Sequence, residues 1–122
     1  MRRIGLVGAG SMGSLHARVI RTSGRTTLAW IADPSEAVGR PLAERLGVEW
    51  FPEPQLGTVD AVVVAAPTQY HHQIGMAVLD AGLPMLLEKP LADALDETIA
   101  LIARADELDL PLMCGLLERF NP

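Results

Sequence analysis

The stretch Ile4-Gly5-Leu6-Val7-Gly8-Ala9-Gly10-Ser11-Met12-Gly13 decides how this chain folds. Its apolar start reads as a buried strand, its glycines fit G-x-G-x-x-G, and the residues that follow open a helix. In that setting Gly8 permits a tight turn and Gly10 lets backbone approach a pyrophosphate. Gly13 then allows close helix–strand packing. The N–H groups at the helix start, around Ser11 and Met12, meet the negative charge. The plainer reading is a glycine-rich turn with no ligand. The strand before it and the helix after it favour a nucleotide cofactor.

Outward from this turn, strands and helices alternate to the end of the chain. Apolar runs at 4–7, 28–32, 59–65, 83–87 and 110–115 are short and several are β-branched. They predict strands buried on both faces, as in a parallel sheet, with a weaker strand at 48–51. Helices are expected at 11–23, 35–46, 69–81 and 93–108. Gly24, Gly47 and Gly82 stand where left-handed helix ends are wanted, and Asp93 reads as the N-cap of the last helix. Leu91, Leu95, Ile99 and Ile102 mark that helix's apolar face. The segment Pro52-Glu53-Pro54-Gln55-Leu56-Gly57 is too rich in breakers for a regular helix and predicts an irregular crossover. The fold class that results is α/β, a doubly wound, mostly parallel sheet of the dinucleotide-binding (Rossmann) type in one domain over 1–122.

Composition narrows the function. The chain has 122 residues, 49% hydrophobic and 20% charged, with a net charge of −5. That balance argues against a nucleic-acid or anionic-membrane surface. Arg18, Arg21 and Arg25 read as a solvated helix face whose cations complement the helix C-terminus. Cys114 is the single cysteine, flanked by Leu112-Met113 and Gly115-Leu116, and reads as a core thiol. No internal disulfide is possible, no apolar stretch approaches ~20 residues, and a cytoplasmic location is expected. No ligand spacing supports a metal site.

Asp33 ends the second strand, 20 residues beyond Gly13. A carboxylate there accepts hydrogen bonds from the adenosine ribose hydroxyls and repels a 2′-phosphate, which favours NAD over NADP. Asp33-Pro34-Ser35-Glu36 also reads as an N-cap followed by Pro, and Arg40 nearby leaves room for a phosphate. After the fourth strand, Ala65-Ala66-Pro67-Thr68-Gln69-Tyr70-His71-His72 leaves the sheet near the strand-order switch, where a nicotinamide half would lie. Thr68 either caps the next helix or touches the cofactor. His71 shares a face with Ile74 and Val78 and reads first as a buried, hydrogen-bonded histidine. Lys89, in Glu88-Lys89-Pro90 after the strand at 83–87, suits proton transfer or a hydrogen bond to a hydroxyl. Its plainer role is a surface partner of Glu88 or Asp93. Pro90 restricts Lys89 to extended backbone, and the isomer of their bond is open at this stage.

Together these residues resemble the glucose-fructose oxidoreductase / inositol dehydrogenase / rhizopine-catabolism (Gfo/Idh/MocA) family over essentially the whole chain. The matches are Gly8, Gly10, Met12, Gly13 and His16, then Asp33, then Pro67 with His71. They continue through Ala81-Gly82 and Glu88-Lys89-Pro90-Leu91-Ala92 and close at Arg119-Phe120-Asn121-Pro122. The resemblance implies an NAD(P)-dependent oxidoreductase passing hydride between nicotinamide and a hydroxyl-bearing carbon of a sugar or cyclitol. It further implies that Lys89 contacts substrate and assists proton movement, and that Ala66, Pro67, Thr68, His71, Glu88 and Lys89 join the glycine turn and Asp33 around the cofactor. The family's second, substrate-binding domain, which also makes the homo-oligomer contacts, is expected beyond this chain. The 122 residues alone are then expected to bind NAD(H) without turnover. A free-standing dinucleotide-binding module for sensing or scaffolding is the alternative. A methyltransferase would account for the loop and Asp33 but not for Lys89. Trp30, on the strand that ends at Asp33, is the expected fluorescence reporter of binding, with Trp50 the second tryptophan.

Overall fold

A computed structural model describes residues 1–114. Its elements are β1 (Arg2–Val7), α1 (Ser11–Thr22), β2 (Thr26–Ala32), α2 (Glu36–Leu46), β3 (Glu49–Phe51), β4 (Ala61–Val64), α3 (His71–Asp80), β5 (Met85–Leu87), α4 (Leu95–Glu107) and β6 (Leu112–Cys114). Short 3-10 turns at Leu56–Thr58 and Thr68–Tyr70 lead into β4 and α3. The first of these ends the Pro52–Gly57 crossover, which is otherwise irregular as its breakers predict.

The strands pair in the order β3-β2-β1-β4-β5-β6, and every pairing is parallel. The order reverses between β1 and β4, where Ile4 stands opposite Ala61 and Val7 opposite Val64. Helices cover both faces, which is why the strand sequences are apolar without alternation. On one face Leu6, Ile31, Ala17, Ile20 and Leu42 form a buried cluster with α1 and α2. On the other, Val62, Val64, Leu87, Val78, Leu79 and Leu101 do so with α3 and α4. The register shifts between Ile4 and Gly5, and the absent side chain of Gly5 makes room for the Trp30 indole: a Cβ there would come within 2.3 Å of that ring.

The sequence-based boundaries hold to within a few residues, with three corrections of substance. Gly24 is not a left-handed cap. Backbone φ is positive at Gly47 (71°) and Gly82 (78°), as expected, while α1 ends on Ser23 in extended conformation. There the Thr22 hydroxyl donates to the Arg18 carbonyl at 3.0 Å and satisfies that helix end instead. Asp93 does not cap α4, which begins at Leu95 after Ala94. Asp96 and Glu97 in its first turn supply the favourable negative charge.

The third correction concerns the buried face of α4. Leu95, Ile99 and Ile102 are 76%, 56% and 51% exposed, whereas Leu101 and Ala105 are buried. Gly75 on α3 decides this. It presents no side chain, and Leu101 sits so close that a Cβ on Gly75 would stand 2.7 Å from its Cδ2. Cys114 is half-buried on β6 rather than enclosed in the core. Residues 115–122, including the Arg119–Pro122 match, lie outside the described residues. Among the described residues, no helix is long and apolar enough to cross a membrane.

Candidate nucleotide and active site

A cleft of about 720 Å³ opens at the carboxyl ends of the strands on both sides of the β1/β4 switch. Gly8 to Met12 form its floor, Asp33, Pro34, Val38, Pro52 and Pro54 one wall, and Ala65 to Pro67 with Tyr70, Gln73 and Ile74 the other. Ligand crevices of parallel sheets form at this place because the chain leaves β1 and β4 toward opposite sides.

The glycines answer to different constraints. Gly8 has φ of 101°, and a Cβ there would collide with the Ala65–Ala66 backbone at 2.6–2.7 Å. A Cβ on Gly13 would meet the Gly8 carbonyl oxygen at 2.0 Å, which is the close packing read from the motif. Gly10 is different, since a Cβ on it meets nothing within 4 Å. No atom of the described residues requires glycine there, and the space it leaves is the space a pyrophosphate would take. The start of α1 fits that use. Gly10 is its N-cap, no side chain caps it, and no acidic residue lies in its first turn, so its backbone donors face the cleft's floor uncompensated.

Asp33 is more than a strand-end acid. Its Oδ2 accepts from the Ala9 N–H at 3.0 Å and its Oδ1 from the Ser35 N–H at 2.8 Å. Ser35, not Asp33, is the N-cap of α2. The carboxylate is thus anchored to the glycine turn, and each oxygen keeps a lone pair for a ribose hydroxyl. Arg40 is engaged elsewhere: its Nε donates to Glu36 Oε2 at 2.6 Å, and its guanidinium lies 5.0 Å from the Trp50 ring centroid. Trp50 donates from Nε1 to the Asp33 carbonyl at 3.0 Å. Trp30 is 2% exposed and donates to Thr58 Oγ1 at 2.9 Å. Trp50, rather than the Trp30 expected from the sequence, is thus the tryptophan in contact with Asp33.

Gly8, Gly10, Ser11, Met12, Asp33, Ala66 and Pro67 line the cleft, and Gly13, Thr68, His71, Glu88 and Lys89 are not among its lining residues. Thr68 caps nothing with its side chain: the 3-10 turn starts after Pro67 and α3 after Tyr70. His71 is 1% exposed. Its Nδ1 is 3.0 Å from the Pro90 carbonyl oxygen and its Nε2 2.7 Å from that of Ala66. A neutral ring donates to one of these carbonyls and a doubly protonated ring to both. This is the buried, hydrogen-bonded histidine of the plainer reading.

Glu88 continues the sheet edge, its N–H donating to the Val64 carbonyl at 3.2 Å. Its side chain, 12% exposed, accepts a hydrogen bond from His16 Nε2 on α1. Lys89 follows on an exposed loop, and the Lys89–Pro90 bond is cis. Two features escaped sequence reasoning. The His16–Glu88 link spans 72 residues and has no local signal. The other was legible: Lys89 is the only lysine beside nine arginines. Guanidinium never gives up its proton in proteins, so a site needing a proton carrier has to keep lysine.

Six parallel strands in this order, with a glycine turn at the switch point, define the chain as a Rossmann dinucleotide-binding domain. The family model described as "Oxidoreductase family, NAD-binding Rossmann fold" (GFO_IDH_MocA) matches residues 2–116. The chain belongs to that family. It is 37% identical over 128 residues to an inositol 2-dehydrogenase of Corynebacterium glutamicum, with 98% of this chain and 38% of that protein covered. With a UDP-N-acetylglucosamine 3-dehydrogenase of Acidithiobacillus ferrooxidans it shares 32% identity over 122 residues, at the same 98% and 38% coverage. Among solved structures, GenD2 from gentamicin A biosynthesis in complex with NAD superposes with a TM-score of 0.89 at 36% identity, covering 93% of this chain and 34% of GenD2. The chain thus spans about 38% of the length of the curated relatives it matches.

Proposed function

We propose that this chain binds NAD(H) in preference to NADP(H), as the cofactor half of an oxidoreductase acting on a hydroxyl-bearing carbon of a polyol or sugar. One observation carries the reading. The glycine turn after β1, the anchored Asp33 after β2 and Lys89 after β5 converge at the carboxyl edge of one parallel sheet. The named relatives support the substrate class, since their names specify an inositol and a nucleotide sugar.

When bound, the nicotinamide accepts or returns hydride. This chain's residues do the rest: the α1 start and glycine turn hold the pyrophosphate, Asp33 takes the ribose hydroxyls, and Ala66 and Pro67 border the nicotinamide half. Lys89 Nζ takes the substrate hydroxyl's proton on oxidation and returns it on reduction. Its place next to the β4 loop keeps that proton on the nicotinamide side of the cleft.

Titration with NADH and NADPH, followed through Trp50 fluorescence, tests the cofactor reading. Saturable NADH binding with weaker NADPH binding is expected. Absence of NADH binding refutes the nucleotide site, and tighter NADPH binding refutes the role given to Asp33. For the hydride half, the whole enzyme with Lys89→Met should lose about 100-fold or more in kcat on its polyol, with NADH affinity unchanged.

A further inference from the structure

Lys89 owes its place to its neighbours on either side. Glu88 is held by His16, which stands on α1, the helix that follows the glycine turn. Pro90 is held through its carbonyl by His71, the first residue of α3, whose other ring nitrogen reaches Ala66 on the cleft wall. His16 and His71 are the only buried polar side chains among the described residues, at 4% and 1% exposure. Neither lines the cleft. Burying two imidazoles is costly unless each meets a specific partner, and both partners flank the same lysine.

We infer that His16 and His71 are positioning residues, a pair of buried clamps that set the place of Lys89 and link it to occupancy of the nucleotide cleft. This rests on the role proposed above for Lys89. The His16 clamp ties Lys89 to the pyrophosphate helix, and the His71 clamp ties it to the loop bordering the nicotinamide half. A nucleotide that settles α1 and the Ala66 loop therefore settles the lysine as well. The exposed lysine acquires a defined position without being buried.

Because the chain has one lysine, reductive methylation with ¹³C-formaldehyde labels only Lys89 and the N-terminal amine, and NMR reads the lysine alone. In the unsubstituted chain the Lys89 methyl signal is expected away from that of a dimethyl-lysine reference peptide, and NADH should shift it further. His16→Gln, His71→Gln and Glu88→Ala should each move the signal toward the reference and remove the NADH-induced shift. Glu88→Gln, whose amide oxygen still accepts from His16, should restore both. Urea unfolding identifies any histidine variant that fails to fold; the Glu88→Ala and Glu88→Gln pair, on the loop itself, then decides. An unmoved Lys89 signal in folded variants that bind NADH refutes the clamps alone. Failure of the unsubstituted chain to bind NADH refutes the nucleotide reading, and the linkage with it.

Discussion

If Asp33 acts as proposed, Asp33→Asn should weaken discrimination against NADPH. The Asp33 carboxylate is fixed by the Ala9 and Ser35 N–H groups at 3.0 and 2.8 Å, so it cannot swing away from a 2′-phosphate. A phosphate of about −2 placed roughly 5 Å from a fixed unit charge, at an effective dielectric of about 60, is repelled by ~2 kcal/mol. That corresponds to roughly 30-fold in Kd. Asparagine removes the charge but keeps only one side-chain oxygen for two backbone donors. Both nucleotides should therefore lose about 1 kcal/mol through the loosened glycine turn. The ratio of NADPH to NADH dissociation constants, measured by fluorescence titration, should fall ~30-fold while NADH itself weakens about 5-fold or more. In the unsubstituted chain, added salt should narrow the preference, as screening requires. A ratio unchanged in Asp33→Asn would refute the electrostatic account of cofactor choice.

Gly10→Ala should leave the urea midpoint nearly unchanged, because its Cβ meets nothing within 4 Å, yet weaken NADH about 10-fold or more by filling the pyrophosphate's approach. Gly8→Ala, at φ of 101° and in collision with the Ala65 backbone, should cost ~3 kcal/mol or more in urea unfolding. Trp50→Phe should abolish the NADH-induced fluorescence change and Trp30→Phe should retain it, since only Trp50 hydrogen-bonds at Asp33. Leu101→Ala should destabilise the chain by about 2–5 kcal/mol and Ile99→Asn by less than about 0.5 kcal/mol. The reverse order would overturn the assignment of the α4 face.

What could be read from the sequence was local. The glycine turn, Asp33 and Lys89 each announce themselves within a few residues, because a turn, a strand end or a proline restricts nearby backbone directly. The parallel sheet followed from the alternation of elements, since parallel strands require crossovers. What failed depended on distant neighbours. Leu95, Ile99 and Ile102 have helical spacing as good as that of Leu101 and Ala105, and only Gly75, on another helix, selects between the two stripes. Trp30 is on the strand that leads to Asp33, but a side chain's face depends on register, and β2 is irregular opposite Gly5. The partners of His16 and His71 lie 72 and 19 residues away and carry no pattern. Gly24 misled because a glycine after a helix is also useful in an ordinary turn.

The pairing of β1 with β4 also sets the timetable of this chain's birth. Of this domain's strands β1 is made before the others, and β2 closes one of its sides early. Its other side is completed only by β4, with Ile4 joined to Ala61. At a synthesis rate of about 5–20 residues per second, those intervening residues take roughly 3–11 s. Throughout that interval the strand that will carry the nucleotide turn has one unsatisfied edge, in a nascent chain whose sheet has no centre. The same strand order that opens a cleft in the finished domain thus leaves an exposed seam in the unfinished one, and ligand can act only after the seam has closed.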